Sequence, residues 1–148
     1  MTSVKNEVAM KLYGRHLGEL LRGGEVIELV GDVGAGKTTL VKGIGEGLNI
    51  DEDIQSPSFT ISRVYQARDG LELHHYDFYR LADAGIMSYE LDESLHDPKV
   101  TTVIEWAETV HNVLPISSGK ITLLHTPDGD GRILRTYFPE ELKHLEGA

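Results

Sequence analysis

Hydrophobic positions along the chain fall into two rhythms. Within residues 4–22, Val8, Leu12, Leu17, Leu20 and Leu21 recur near the helical period and predict an amphipathic helix. Gly23 and Gly24 follow, and glycine tolerates the left-handed conformation that closes a helix. Residues 25–30 are short, β-branched and mostly apolar, which predicts a buried strand. Residues 31–36 contain three glycines and read as a loop. Residues 37–48 predict a second helix with Leu40, Val41, Ile44 and Leu48 on one face. This strand–loop–helix order opens an α/β layer.

The remainder is richer in strands. Ser56-Pro57-Ser58 predicts an extended loop, because a residue before proline avoids the helical region. Residues 61–65 and 71–75 read as strands around Asp69-Gly70, a hairpin signal. Residues 81–96 read as a helical stretch with weak periodicity, and Pro98 precedes another strand at 100–104. Residues 121–125 and 133–138 flank a second turn at 128–131, and Pro139 opens a short terminal helix. No repeat, low-complexity tract or linker interrupts the pattern. The expectation is one α/β domain over residues 1–148, with a mixed central sheet flanked by helices and hairpins.

Composition narrows the function classes. With 148 residues and 40% hydrophobic content, the chain can bury a sizeable core. The 14 basic residues against 24 acidic give a net charge of −10. That balance argues against tight, unaided binding to nucleic-acid phosphate and leaves room for a protein partner with a basic face. The absence of cysteine excludes disulfides, iron–sulfur clusters, thiolate zinc and a cysteine nucleophile. The first residues carry no apolar core before a small-residue cleavage site, and no apolar run approaches a membrane span. The expected setting is cytoplasmic.

The candidate chemistry begins at residues 31–38, GDVGAGKT, which fit G-x-x-x-x-G-K-[ST] between a predicted strand and a predicted helix. Glycines let such a loop wrap so that successive backbone N–H groups point at phosphate oxygens. The following helix adds the positive end of its dipole. Lys37 supplies a point charge for β- and γ-phosphates, and the Thr38 hydroxyl can ligate Mg2+. The other reading is a glycine-rich turn with an exposed lysine. The guanine-reading Asn-Lys-x-Asp pattern is absent, which favours ATP over GTP.

A phosphate loop needs acidic partners to hold metal and orient water. Asp77, in the run His75-Tyr76-Asp77-Phe78-Tyr79-Arg80, and Glu105, before Trp106, both stand at predicted strand ends. Ligands of open α/β sheets bind at those ends. Asp77 also suits a turn or cap, and Glu105 a solvated carboxylate beyond a core strand. Strand alternation puts His75, Asp77 and Tyr79 on one face and His74 on the other, which argues against a zinc site using both histidines. Trp106 reads as a packing residue. Ser56 to Thr60 lie where switch loops follow such helices, although a proline turn serves equally. Arg80 suits a phosphate or partner contact, or pairing with an acidic neighbour.

Taken in order, GDVGAGKTT over residues 31–39, Ser56-Pro57-x-Phe59-Thr60, His75-x-Asp77-x-Tyr79-Arg80-Leu81 and Glu105-Trp106 resemble the TsaE (YjeE) family. These are small bacterial P-loop ATPases required to make N6-threonylcarbamoyladenosine in tRNA. The resemblance runs from about residue 4 to 138. It implies ATP and Mg2+ as cofactors and a complex of TsaB and TsaD as partner, with tRNA engaged only through that complex and no membrane. It implies a regulator whose ATP turnover supports repeated modification, not the transferase. By position, Gly34, Ala35, Gly36, Lys37, Thr38 and Thr39 would hold ATP, with Glu7 and Arg132 near the nucleotide. Thr38 and Glu105 would match the Mg2+ ligands, and Asp77 a second acid assisting metal or water. Lys37, Asp77 and Glu105 are thus the residues expected to carry catalysis. Met10 stands where the family's first helix commonly has threonine, and Ser58 where it has threonine. Two other functions fit a phosphate loop: an ATP-dependent binding switch with negligible turnover, and a small-molecule kinase, against which no arginine-rich lid is evident.

Overall fold

The computed structural model describes the chain apart from Val33, Ser56 and residues 58–61, 79–84 and 86, together with the side chains of Met87 and Thr109. Among the described residues seven strands form one sheet: β1 (Thr2–Val4), β2 (Val26–Val30), β3 (Ser62–Gln66), β4 (Glu72–Asp77), β5 (Val100–Glu105), β6 (Gly119–His125) and β7 (Arg132–Tyr137). Their order is β1-β7-β6-β2-β5-β4-β3. The centre is parallel, with β2 between β5 and β6 and β4 beside β5. The antiparallel pairs β3–β4, β6–β7 and β1–β7 complete a mixed α/β sheet. Among the described residues three α-helices, α1 (Glu7–Leu20), α2 (Lys37–Gly47) and α3 (Met87–Leu95), accompany it.

Strand alternation divides the buried residues into two cores. Ile27, Leu29, Leu73, Val103 and Ile121 join the core containing Leu17 of α1 and Leu40 and Ile44 of α2. Val26, Tyr76 and Ile104 join Phe78, Leu91 of α3 and Val110 in the other. The four apolar positions assigned to one face of the second helix, Leu40, Val41, Ile44 and Leu48, are all fully buried.

The first helix departs from the sequence reading. Residues 2–4 form a strand against β7, and the Asn6 side chain caps α1 by accepting from the Ala9 N–H at 2.9 Å. Val8 and Leu12 face solvent, at 77% and 49% exposure. The buried stripe is Met10, Tyr13, Gly14, Leu17 and Gly18, so an apolar count misplaces a face built partly of glycine. The helix also stops before the paired glycines; Leu21 is already extended. Two short 3-10 helices complete the second half, Ala107–Val113 and Glu140–Gly147. The latter occupies the expected terminal helix, and its buried Leu142 and Leu145 lie three apart, the 3-10 repeat.

Glycines bring α1 against α2. A Cβ at Gly43 would stand 2.2 Å from the Lys11 carbonyl oxygen, and one at Gly47 2.2 Å from that of Arg15. Gly14 and Gly18 meet the Leu40 and Ile44 carbonyls reciprocally, at 2.5 and 2.3 Å. All four clashes are with backbone, which cannot rotate away. At the hairpin turn, Arg68–Gly70, the Arg68 guanidinium donates to the carbonyls of Gly18, Glu19, Leu21 and Gly47. It thus satisfies carbonyls left over at the ends of both helices. Gly43→Ala should therefore destabilise by about 2 kcal/mol despite alanine's better helix propensity. Urea denaturation checks this; a stabilised variant would show that the helices can separate at no cost.

A second tie reaches across the chain. Buried Glu25 accepts from the N–H groups of Arg22 and Gly23 at 2.7 and 2.8 Å, from Thr101 at 2.9 Å and from His144 at 2.9 Å. Burial pushes its pKa up, but these hydrogen bonds outweigh burial and hold the carboxyl below its ordinary value. A depressed folded-state pKa contributes stability above the unfolded value, about 4.3, and loses it as pH falls through the folded value. Glu25→Gln should cost about 2 kcal/mol at pH 7. The difference from wild type should shrink below about pH 4 in urea titrations. A difference unchanged by pH would show that the charge contributes nothing.

Candidate functional site

The site begins where β2 ends. Gly31 and Asp32 follow the strand, Gly34 and Gly36 turn the backbone at φ 85° and 102°, and α2 begins at Lys37. The left-handed Gly36 is the helix cap, with the Met10 methyl 3.2 Å from where a Cβ would stand. The first helical N–H groups therefore open onto the loop.

Strand register sets the acids beside it. Across the parallel centre, Leu29 of β2 pairs with Glu105 of β5, and Glu105 with Asp77 of β4. Both carboxylates close their strands at the same level, on the face towards α1 and α2. Each is buried, at 3% for Glu105 and 5% for Asp77. The solvated reading of Glu105 is thus set aside, and Asp77 is the last strand residue, not a turn residue.

Lys37 reaches back over the loop. Its Nζ donates to the Gly31 carbonyl at 2.7 Å, lies 3.8 Å from Glu105 Oε1 and sits 4.0 Å from the centre of the Trp106 ring. Trp106 takes a left-handed φ of 56°, uncommon for a bulky residue, as β5 turns away. That strained turn sets the indole against the ammonium, so the packing residue also borders the site. Burial pushes the Lys37 pKa down, while Glu105, Asp77, Asp32 and Glu108 pull it up. The ammonium is partly stripped of water and has one hydrogen bond from Nζ among the described residues. Such a group is a ready counter-charge for an anion.

The histidines part company as alternation requires. His74 bonds Ser94 Oγ at 2.6 Å and Glu72 at 2.8 Å, whereas His75 Nε2 bonds Glu105 Oε2 at 2.5 Å. Among the described residues no group of three or more His, Asp or Glu side chains is placed to hold a metal alone. Glu105 offers carboxylate oxygens 3.8 Å from Lys37, and Thr38, the next residue of α2, carries a hydroxyl; hard oxygens of this kind suit a cation shared with phosphate.

Two clefts flank the loop. One, of about 90 Å3, is lined by Asn6, Glu7, Met10, Thr39, Asp130 and Arg132 with residues 34–36. Here Arg132 donates to the carbonyls of Ala35 and Gly34, at 3.1 and 3.3 Å, and braces the loop. The other, of about 230 Å3, is lined by Glu28, Asp32, Lys37, Trp106, Glu108 and Thr122. Glu7, Gly34, Ala35, Gly36, Thr39 and Arg132 therefore gather at the first cleft, whereas Lys37 lines the second and lies 3.8 Å from Glu105, the strand neighbour of Asp77. Asp32 and Glu108 escaped the sequence reading; Asp32 lies inside the motif at a variable position, and Glu108 on an unanticipated 3-10 turn. Ser56, Ser58 to Thr60, Tyr79 and Arg80 lie outside the described residues. Among the described residues, no helix is long and apolar enough to cross a membrane.

Comparison with known proteins identifies relatives over most of the chain. Residues 4–134 match the family model described as threonylcarbamoyl adenosine biosynthesis protein TsaE. The TsaE protein of Treponema pallidum is 41% identical over 122 residues, covering 82% of this chain and 88% of that protein. That of Streptomyces coelicolor is 44% identical over 102 residues, covering 67% of this chain and 68% of that one. The crystal structure of YdiB from Bacillus subtilis superposes with a TM-score of 0.77 at 29% identity, over 99% of this chain and 90% of that one. With the family model matched over residues 4–134 and relatives 41% and 44% identical over most of its length, the chain belongs to the TsaE family of tRNA threonylcarbamoyladenosine biosynthesis proteins.

Proposed function

We propose that this chain binds and hydrolyses Mg2+-ATP in support of tRNA threonylcarbamoyladenosine formation, acting on a TsaB–TsaD complex without carrying the threonylcarbamoyl group. The observation that carries the reading is Lys37, buried at the loop that joins β2 to α2 and set beside Glu105 and within the field of Asp77. The triphosphate would lie along the loop, with the base side in the cleft lined by Glu7, Thr39 and Arg132. Lys37 would exchange its Gly31 carbonyl for phosphate oxygens. Thr38 and Glu105 would hold Mg2+, which when bound neutralises phosphate charge. Asp77 would accept a hydrogen bond from the attacking water. That water's oxygen forms the new bond to the γ-phosphorus as the bond to the ADP oxygen breaks.

Partner gating is consistent with the charge. A chain at −10 favours a partner with a basic face. Steady-state ATP hydrolysis, alone and with TsaB plus TsaD, tests the reading. Stimulation by the partners should be lost with Asp77→Asn, by about 100-fold in kcat. ATP affinity should stay within about threefold, as removal of a group acting on the transition state requires. ATP-dependent association without turnover would instead identify a binding switch. Phosphate transfer to a small molecule would identify a kinase.

A further inference from the structure

His75 is fully buried on β4, on the same sheet face as Leu73 and Asp77. Its Nε2 lies 2.5 Å from Glu105 Oε2. Its Nδ1 is buried and has no hydrogen-bond partner among the described residues. An orphaned buried nitrogen costs stability. The one polar contact that the imidazole makes among the described residues is therefore with a site carboxylate.

That contact divides the carboxylate. Oε2 accepts from the Nε2–H, and Oε1 is the oxygen turned towards Lys37, at 3.8 Å. Mg2+ demands near-ideal octahedral geometry and takes single carboxylate oxygens, whereas a carboxylate free to swing can chelate through both. We infer that His75 is a positioning residue: by holding Oε2 it fixes the Glu105 rotamer so that Oε1 alone is presented to the nucleotide-bound metal. This rests on the Mg2+-ATP reading above and extends it to a residue that touches neither nucleotide nor metal.

The test uses β,γ-imido ATP, titrated with and without MgCl2 and followed through Trp106, the sole tryptophan. His75→Leu and the smaller His75→Asn remove the donor at the Nε2 position, while His75→Gln places an amide N–H near it. Metal-free affinity should stay within about twofold of wild type for all three. The Mg2+ concentration for half-saturation should rise roughly 10-fold or more for Leu and Asn, the usual effect of losing a partner that orients a metal ligand. His75→Gln should recover most of that loss, which a merely structural role would not predict. Two results would overturn the inference: wild-type Mg2+ dependence in folded His75→Leu or His75→Asn, or a His75→Gln as impaired as His75→Leu. If the wild type binds the analogue with no Mg2+-linked gain, the metal reading itself fails and takes this inference with it.

Discussion

Everything at the site depends on the register of three parallel strands. Leu29, Glu105 and Asp77 lie level across β2, β5 and β4, so the loop leaving β2 emerges beside two carboxylates. Parallel pairing fixes the level, and the pleat fixes the side, because a slip of one residue would turn both acids to the opposite face. The helix pair then closes over that face. Its glycines let α1 approach α2 at backbone distance, which carries Glu7 and Met10 to the rim of the glycine loop.

The resulting site holds charge in a strained balance. Lys37 is buried, against the preference of an ammonium for water, and is held by a carbonyl, a carboxylate and an aromatic ring. Glu105 is shared between Lys37 and His75. Arg132 spends its donors on loop carbonyls, and so supports the shape of the loop as much as its charge. A ligand that brings several negative oxygens and a hard cation would relieve the lysine and occupy the carboxylate together. This is why one arrangement serves both phosphate and metal in the proposed function.

Much of this was legible in the sequence where a local rule applied. The glycine loop between strand and helix, the buried face of α2, the two hairpins and the strand-end position of Glu105 all follow from spacing within a few residues. Features set by tertiary contact were not legible. The stripe of α1 was misplaced because Gly14 and Gly18 pack by close approach and add nothing to an apolar count. Three residues were too few to mark β1 as a strand without its partner β7. The 3-10 turn carrying Glu108 repeats its apolar residues every third position, a period that neither helix nor strand templates detect. The pairs His75–Glu105 and Glu25–His144 join residues far apart in sequence. Alternation gave the face of His75 but not its partner.

The most direct test of the central claim is a crystal structure of the chain with Mg2+ and a non-hydrolysable ATP analogue. Phosphates should lie along residues 34–39, with Lys37 Nζ moved from the Gly31 carbonyl onto phosphate oxygen and a metal held between Thr38 and Glu105. A nucleotide bound away from the loop, or a metal in the loop that leaves Glu105 uncoordinated, would contradict it.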